Sequence, residues 1–385
     1  MLNRLSSSIL LAGVLTVGGC GHSRLNSPII TGAGDWTTYG GGIGRTNVTL
    51  HHLTPPLVTE WQFDAGAGFS SAPAIISGGF LVVGTLDGEI HVLDVAKGEE
   101  KMSRDFGSAV VGTPLLDGQH LILSLGHDEE SLVCYDLIKG STVWKVRAGD
   151  IDTSPLLIDS SVIVASTDGV VYSIDRVAGT LQWKFRVPSD NRTATIHSSP
   201  ASDGRSVFFG TDEGSLISID LHTGKEIWTM AAGGAILSTP SVSAGVVYVG
   251  SLDQIEYAVD AGTGKLIWKS PLGSRIFSSQ AVDSFRVYVG TAGRSLFALD
   301  RQTGSVDWKF TAEGPISSAP LISGEIVYVG SLDRSLYALD RRTGATIWKF
   351  PTEGRVKSMP LVWNNRLFLE VEDTDIFALR PEGQQ

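Results

Sequence analysis

Residues 327–350 read VYVGSLDRSLYALDRRTGATIWKF, and at 287–310 the chain has already read VYVGTAGRSLFALDRQTGSVDWKF. A repeat this strict constrains the fold more than any other feature. Every copy must form the same unit, and each unit must bury its apolar face against its neighbours. The aspartate of the ALD motif stands at Asp94, Asp136, Asp175, Asp220, Asp260, Asp300 and Asp340, and an eighth copy reads FALR with Arg380 in the slot. Four residues after each aspartate comes a glycine: Gly98, Gly140, Gly179, Gly224, Gly264, Gly304 and Gly344. Eight residues after come Trp144, Trp183, Trp228, Trp268, Trp308 and Trp348, with Met102 the exception. A second series, Pro73, Pro114, Pro155, Pro200, Pro240, Gln280, Pro320 and Pro360, opens the eight units.

Each unit holds four short β-branched or aromatic runs separated by Gly, Asp and Ser turns, as in APLIS, IVYVGS, SLYALD and TIWKF. Four strands in about 40 residues describe a propeller blade. The length of 385 residues would allow two domains, but the repeat predicts one all-β, eight-bladed propeller of four-stranded antiparallel blades. The eighth unit stops without its fourth strand, while LVTEWQFDAG at 57–66 is a fourth strand with nothing before it. Trp61 stands there in the tryptophan slot. The N-terminal strand is therefore expected to complete the last blade and close the ring, which leaves no free sheet edge at the joint.

Upstream of the repeats, MLNRLSSSILLAGVLTVGGC has Arg4, an apolar run from Leu5 to Val17 and small residues up to Cys20. This is a secretory signal over 1–19, too short for a spanning helix. VGGC looks like a bacterial lipobox, which implies cleavage before Cys20 and lipid on its thiol. Gly21 in place of Asp resembles the outer-membrane sorting pattern, so the expected location is the periplasmic side of the outer membrane. Residues 20–34 read as a flexible tether and 35–385 as the propeller. The formal net charge of −11 gives no electrostatic reason to bind nucleic acid. Only Cys134 remains besides Cys20, in a small-residue slot of a strand, where a buried, inert thiol is expected.

Seven carboxylates at one repeated position cannot all be general bases. The Asp-x-x-Thr-Gly pieces read as tight turns and the tryptophans as wedges between blades, so the repeated residues are framework. Function is then sought where the copies differ. Loops leading into the first strand and loops joining the second and third share one face. On that face LGHDEE (125–130) is long, VPSDNRTATI (187–196) is longer than its counterparts, and Asp150 and Asp152 lie between them. The resulting candidate partner-binding patch comprises Asp128, Glu129, Glu130, Asp150, Asp152, Arg192 and His197, acidic on balance and suited to a basic surface. Three residues before each proline slot come Ser70, Val111, Asp152, His197, Leu237, Phe277, Ser317 and Lys357, a variable set expected to line the channel mouth. Arg275, Arg355 and Lys357 are the candidate basic residues there. NRT at 191–193 matches a glycosylation sequon and is read as coincidence.

The ALDRRTGATIWKF unit resembles the repeat of quinoprotein (PQQ) dehydrogenases, and equally that of the BamB family of outer-membrane assembly factors. DWTTYGGGIGRTN (35–47) is similar to the lead-in of many such repeat proteins. The dehydrogenase resemblance implies a cysteine pair, calcium ligands and a catalytic Asp on long insertions, for which this chain has no matching residues. The BamB resemblance implies a monomeric, non-enzymatic scaffold without cofactor, whose partner is the barrel-assembly machinery or nascent outer-membrane proteins. The alternative is a PQQ-binding quinoprotein or a small-ligand receptor of the same fold. No Gly-rich phosphate loop, His/Cys metal spacing or G-x-S-x-G elbow occurs.

Overall fold

The computed structural model describes residues 23–127, 129–188, 194–372 and 374–383. In each unit the four runs form an antiparallel sheet in chain order. In the seventh these are Leu321–Ser323, Ile326–Ser331, Ser335–Asp340 and Thr346–Pro351. The second and third strands are buried at nearly every position, because neighbouring blades cover both their faces. The fourth alternates between exposed and half-buried residues at the rim. Eight such sheets form the propeller. The joint is where the sequence places it: Leu57–Asp64 pairs antiparallel with Asp375–Pro381 as the outer strand of the eighth blade, Trp61 opposite Ala378.

The repeated Asp, Gly and Trp form one device. Before each tryptophan the outer strand bulges: Trp348 faces Ala338 but Thr346 faces Leu339, so Ile347 is left unpaired. The bulge helps aim the indole at the next blade. For Trp61, Trp144, Trp183, Trp228, Trp268 and Trp308 the N–H donates there to the carbonyl just past the repeated Asp, at 3.0 Å for Trp61 to Val95, 2.9 Å for Trp183 to Leu221 and 2.9 Å for Trp268 to Arg301. The ring lies flat on that blade's glycine. At Gly304, with φ of +72°, an added Cβ would stand 2.6 Å from the Trp268 ring, so both the backbone conformation and the contact require glycine. The aspartate accepts the turn amides, as Asp300 does from Gln302 and Thr303 at 3.0 and 2.8 Å.

The Met102 exception has a structural answer. Blade one has no tryptophan to dock on blade two, and the N-terminal arm takes its place. Leu25 N donates to the Leu137 carbonyl at 2.7 Å, the bond an indole makes elsewhere, and Ser23 and Arg24 lie over Gly140. The Tyr135 hydroxyl donates to the Ser23 carbonyl at 2.5 Å, and Gln119 exchanges two bonds with the backbone of Ile29. Residues 23–34 therefore do not trail as the flexible tether expected from sequence. Leu25 and Ile29 are buried, and that burial with the inherited hydrogen bond holds the arm down.

Residues 36–49 go further and enter the channel, where they touch every blade. Trp36 exchanges backbone bonds with Ile76 of blade one, and the Thr37 carbonyl accepts from Leu116 of blade two. The carbonyls of Ile43, Gly44, Thr46 and Asn47 accept in turn from Ser202, Val242, Val282 and Ile322, in blades four to seven. Val362 of blade eight offers its carbonyl to the Trp36 indole and the Thr49 hydroxyl. Blade three is reached by a side chain. Arg45, wholly buried, donates to the carbonyls of Ser154, Pro155, Pro200 and Tyr39 and to the Thr38 hydroxyl. Gly44 has to be glycine, since a Cβ would stand 2.5 Å from the Val242 carbonyl. The lead-in is a hub, seated toward the face that carries the Asp-x-x-Thr-Gly turns.

One framework slot is rewritten. Blade six opens with Gln280 instead of proline, and blade five carries Glu256 where the other blades have leucine, isoleucine or valine; both are fully buried, with Gln280 Nε2 donating to Glu256 Oε2 at 3.1 Å. The other oxygens of the two side chains have no partner among the described residues, and burial drives the Glu256 carboxyl well above the usual 4.5. A neutral Glu256 turns one orphan acceptor into a donor. A raised folded pKa means that this group's stabilisation is full below the unfolded value and is lost as pH rises toward the folded one. Glu256→Gln, which stays neutral, is therefore expected to gain stability over the parent as pH rises above about 4.5 and to match it below. Urea midpoints measured across pH check this, and a difference independent of pH would refute it.

Candidate functional site

With the hub seated from one side, the channel is a blind cup open on the other. Its volume is about 140 Å³. Tyr39 forms the floor, its hydroxyl donating to Ser279 Oγ at 2.8 Å and its ring 5.4 Å from the Arg45 guanidinium carbon; burial pushes the phenol above its ordinary value. The walls come from the eight first strands. Hydroxyl residues of blades three to six stitch part of the ring: Thr113 N donates to Ser154 Oγ, Ser154 N to Ser199 Oγ and Thr239 N to Ser279 Oγ, all across blade boundaries. Ala319, Met359 and Ala72 occupy that level on the remaining side.

Of the variable slot read from sequence, Val111, Asp152, His197, Leu237, Phe277 and Ser317 line the cup, whereas Ser70 and Lys357 do not. His197 bridges two carboxylates, with Nδ1 2.9 Å from Asp212 Oδ2 and Nε2 3.9 Å from Asp152 Oδ2. Arg355 and Lys357 both turn to Glu372 on the second-to-third loop of blade eight, Arg355 Nη2 at 2.6 Å. Those two cations hold the Glu372 carboxyl down at about 2. Arg275 is exposed on the loop leading into blade six, and its carbonyl accepts from Ala292. The residues that sequence reading missed are Tyr39, Asp212 and Glu372. Tyr39 lies in the unrepeated lead-in, and the two acids sit on loops outside the chosen slot.

The expected patch is divided by the structure. Asp128 and Arg192 lie outside the described residues, as do Cys20, the signal segment and the NRT sequon. Glu129 and Asp150 share a shallow depression between blades two and three with His127, Arg147 and Asp168. Arg147 pairs with Glu129 at 2.7 Å and Lys145 with Glu130 at 3.1 Å. The acidity of LGHDEE is thus partly neutralised locally. Asp152 and His197 belong to the cup, one blade away. Cys134 is buried within its strand and its thiol is pushed up to about 12, chiefly by burial, so it is inert.

Comparisons with known proteins match this architecture. A family described as "Outer membrane protein assembly factor BamB" matches over residues 59–166, 123–204, 167–269 and 253–385. The BamB of Burkholderia pseudomallei is 26% identical over 192 residues, 48% of this chain and 49% of that one. The dehydrogenase subunit of a quinone alcohol dehydrogenase from Komagataeibacter europaeus is 26% identical over 139 residues, 32% of this chain and 19% of that one. The chain thus spans half or less of the length of these relatives. The crystal structure of BamB from Moraxella catarrhalis superposes with a TM-score of 0.71 at 20% identity, over 84% of this chain and 99% of that one, a likeness of fold.

Proposed function

Because the chain belongs to the BamB family over residues 59–385, we propose that it is a non-enzymatic scaffold that assists assembly of outer-membrane β-barrel proteins. In this reading Cys20 carries a lipid anchor and the propeller lies on the periplasmic side of the outer membrane, where it binds protein partners. The observation that carries it is the family match over a propeller whose irregular loops gather on one face, around a cup of side-chain size. Repeated loops would offer a partner the same contact eight times, and the departures over blades two to four break that equivalence. The Asp-x-x-Thr-Gly turns lie on the other face, which also receives the arm that runs back to Ser23.

A quinone enzyme of the same fold is the second reading, drawn from the quinone alcohol dehydrogenase relative. Pyrroloquinoline quinone has three fused rings and three carboxylates. A cavity of about 150 Å³ takes up one benzene ring, and this one offers about 140 Å³ with Asp152 and His197 on its wall and Asp212 behind the histidine. The residues present do not fit that group in size, and the two aspartates oppose its charge.

Photocrosslinkers at Glu129 and Asp152, with Thr263, Thr303 and Thr343 on the opposite turns as controls, test the scaffold reading in membranes. The first pair is expected to capture a barrel-assembly component or a nascent barrel, identified by mass spectrometry, and the controls are not. Equal capture from both faces would overturn the assignment of the face. Stoichiometric retention of quinone with calcium after desalting, together with dye reduction, would overturn the non-enzymatic reading.

A further inference from the structure

We propose that the cup receives one basic side chain, lysine or arginine, presented by the protein partner that sits on this face; the inference rests on the scaffold reading above. Size sets the guest. At about 140 Å³ the cup approaches the roughly 150 Å³ that admits a single benzene ring. It takes one side chain and not a folded element. Charge sets its sign. Asp152 has no hydrogen-bond donor among the described residues, and the imidazole of His197 stands beside it with Nε2 at 3.9 Å. Among the described residues the Asp212 carboxylate meets only the Nδ1 of the same histidine, at 2.9 Å. Of the three basic residues expected at the mouth, Arg355 and Lys357 are turned onto Glu372, and Arg275 does not line the cup.

The remaining walls fit the rest of such a guest. Val111, Leu237, Phe277 and Met359 give an apolar lining for a methylene stem. Phe277, 42% exposed, places an aromatic ring in the wall of the cup. Ser317 contributes a buried hydroxyl oxygen with no partner among the described residues. A carboxylate without a hydrogen-bond donor and a hydroxyl without a partner among the described residues, with an aliphatic wall around one side-chain volume, match an ammonium or guanidinium on a carbon stem. A neutral apolar side chain would leave Asp152 and Ser317 unsatisfied, and an acidic one would meet like charge.

Calorimetric titration of the full chain in detergent tests this, using acetylated, amidated Gly-Lys-Gly and Gly-Arg-Gly against the norleucine and citrulline analogues. The basic peptides are expected to bind at least about tenfold tighter than their neutral counterparts. Asp152→Asn, which keeps the shape of the wall, should remove most of that ratio. Leu237→Trp, which fills the cup, should abolish binding of both peptides. Equal affinity for lysine and norleucine, or an Asp152→Asn variant with the ratio intact, would overturn the proposal even if Leu237→Trp failed to fold. Capture from Glu129 in membranes separates the two levels. If it persists while the peptides show no preference, the cup assignment falls and the scaffold stands. If it is absent from the unaltered protein, the scaffold reading itself falls.

Discussion

A chain beginning at Ala65 is expected to lose its cooperative unfolding transition altogether. It would lack the strand that pairs with Asp375–Pro381, the hub that bonds to all eight blades, and the Trp61 wedge between the last blade and the first. The eighth sheet would end as an open edge, and its apolar neighbours, among them Leu361, Phe368 and Ile376 in the same cluster as Trp61, would meet water. The single substitution Trp61→Ala isolates the wedge. It removes a ring 9% exposed that donates to Val95 and lies on Gly98, and should cost about 3–5 kcal/mol. Chemical denaturation followed by fluorescence and by far-UV dichroism measures both variants. An unchanged midpoint for the truncated chain would refute closure by this strand.

Arg45→Met should be nearly as damaging, although it keeps the length of the side chain. The loss is that of partners. The carbonyls of Ser154, Pro155 and Pro200, which belong to two different blades, would be left buried without this donor. An unsatisfied buried group costs about 1–3 kcal/mol, so a loss on the order of 3–6 kcal/mol is expected for the set. Arg45→Lys should recover only part, because an ammonium has three donors and cannot reproduce the planar fork that serves five acceptors. The urea midpoint is expected to rank the parent above lysine and lysine above methionine. Equal midpoints for the lysine variant and the parent would mean that charge, and not the fork, holds the hub.

The frame was legible because it is written eight times. An aspartate, a glycine and a tryptophan at fixed offsets can serve one geometry, and repetition removes the ambiguity that one copy would carry. The joint at 57–66 was legible for the same reason, as a fourth strand out of place. The hub was not. DWTTYGGGIGRTN occurs once, and it is gripped mainly through backbone groups that any residue in the first strands supplies. Its signals were present in Gly44, which allows the chain to approach Val242, and in a lone arginine amid small residues. Only the fold shows that both point inward. The cup was half legible: Asp152 and His197 stand out where a regular column turns variable. The pairing of Arg355 and Lys357 with Glu372 depends on a loop that sequence spacing does not bring near them.

The hub and the joint also set an order of events. Trp36 and Thr49 bond to Val362, and Val58 pairs with Arg380, so contacts that complete the ring join residues more than three hundred positions apart. Most other pairings are local hairpins that can form as soon as their own blade is available. The first segment of the chain to appear must therefore wait for the last before it finds its partners, and loop-closure entropy makes that final step slow. Until then the blades can accumulate as a collapsed row with an open edge at each end, the state in which aggregation or capture by a holding chaperone competes with closure. Once formed, the same contacts make release of the ring the last barrier to unfolding, so resistance to proteolysis should arrive late and in one step.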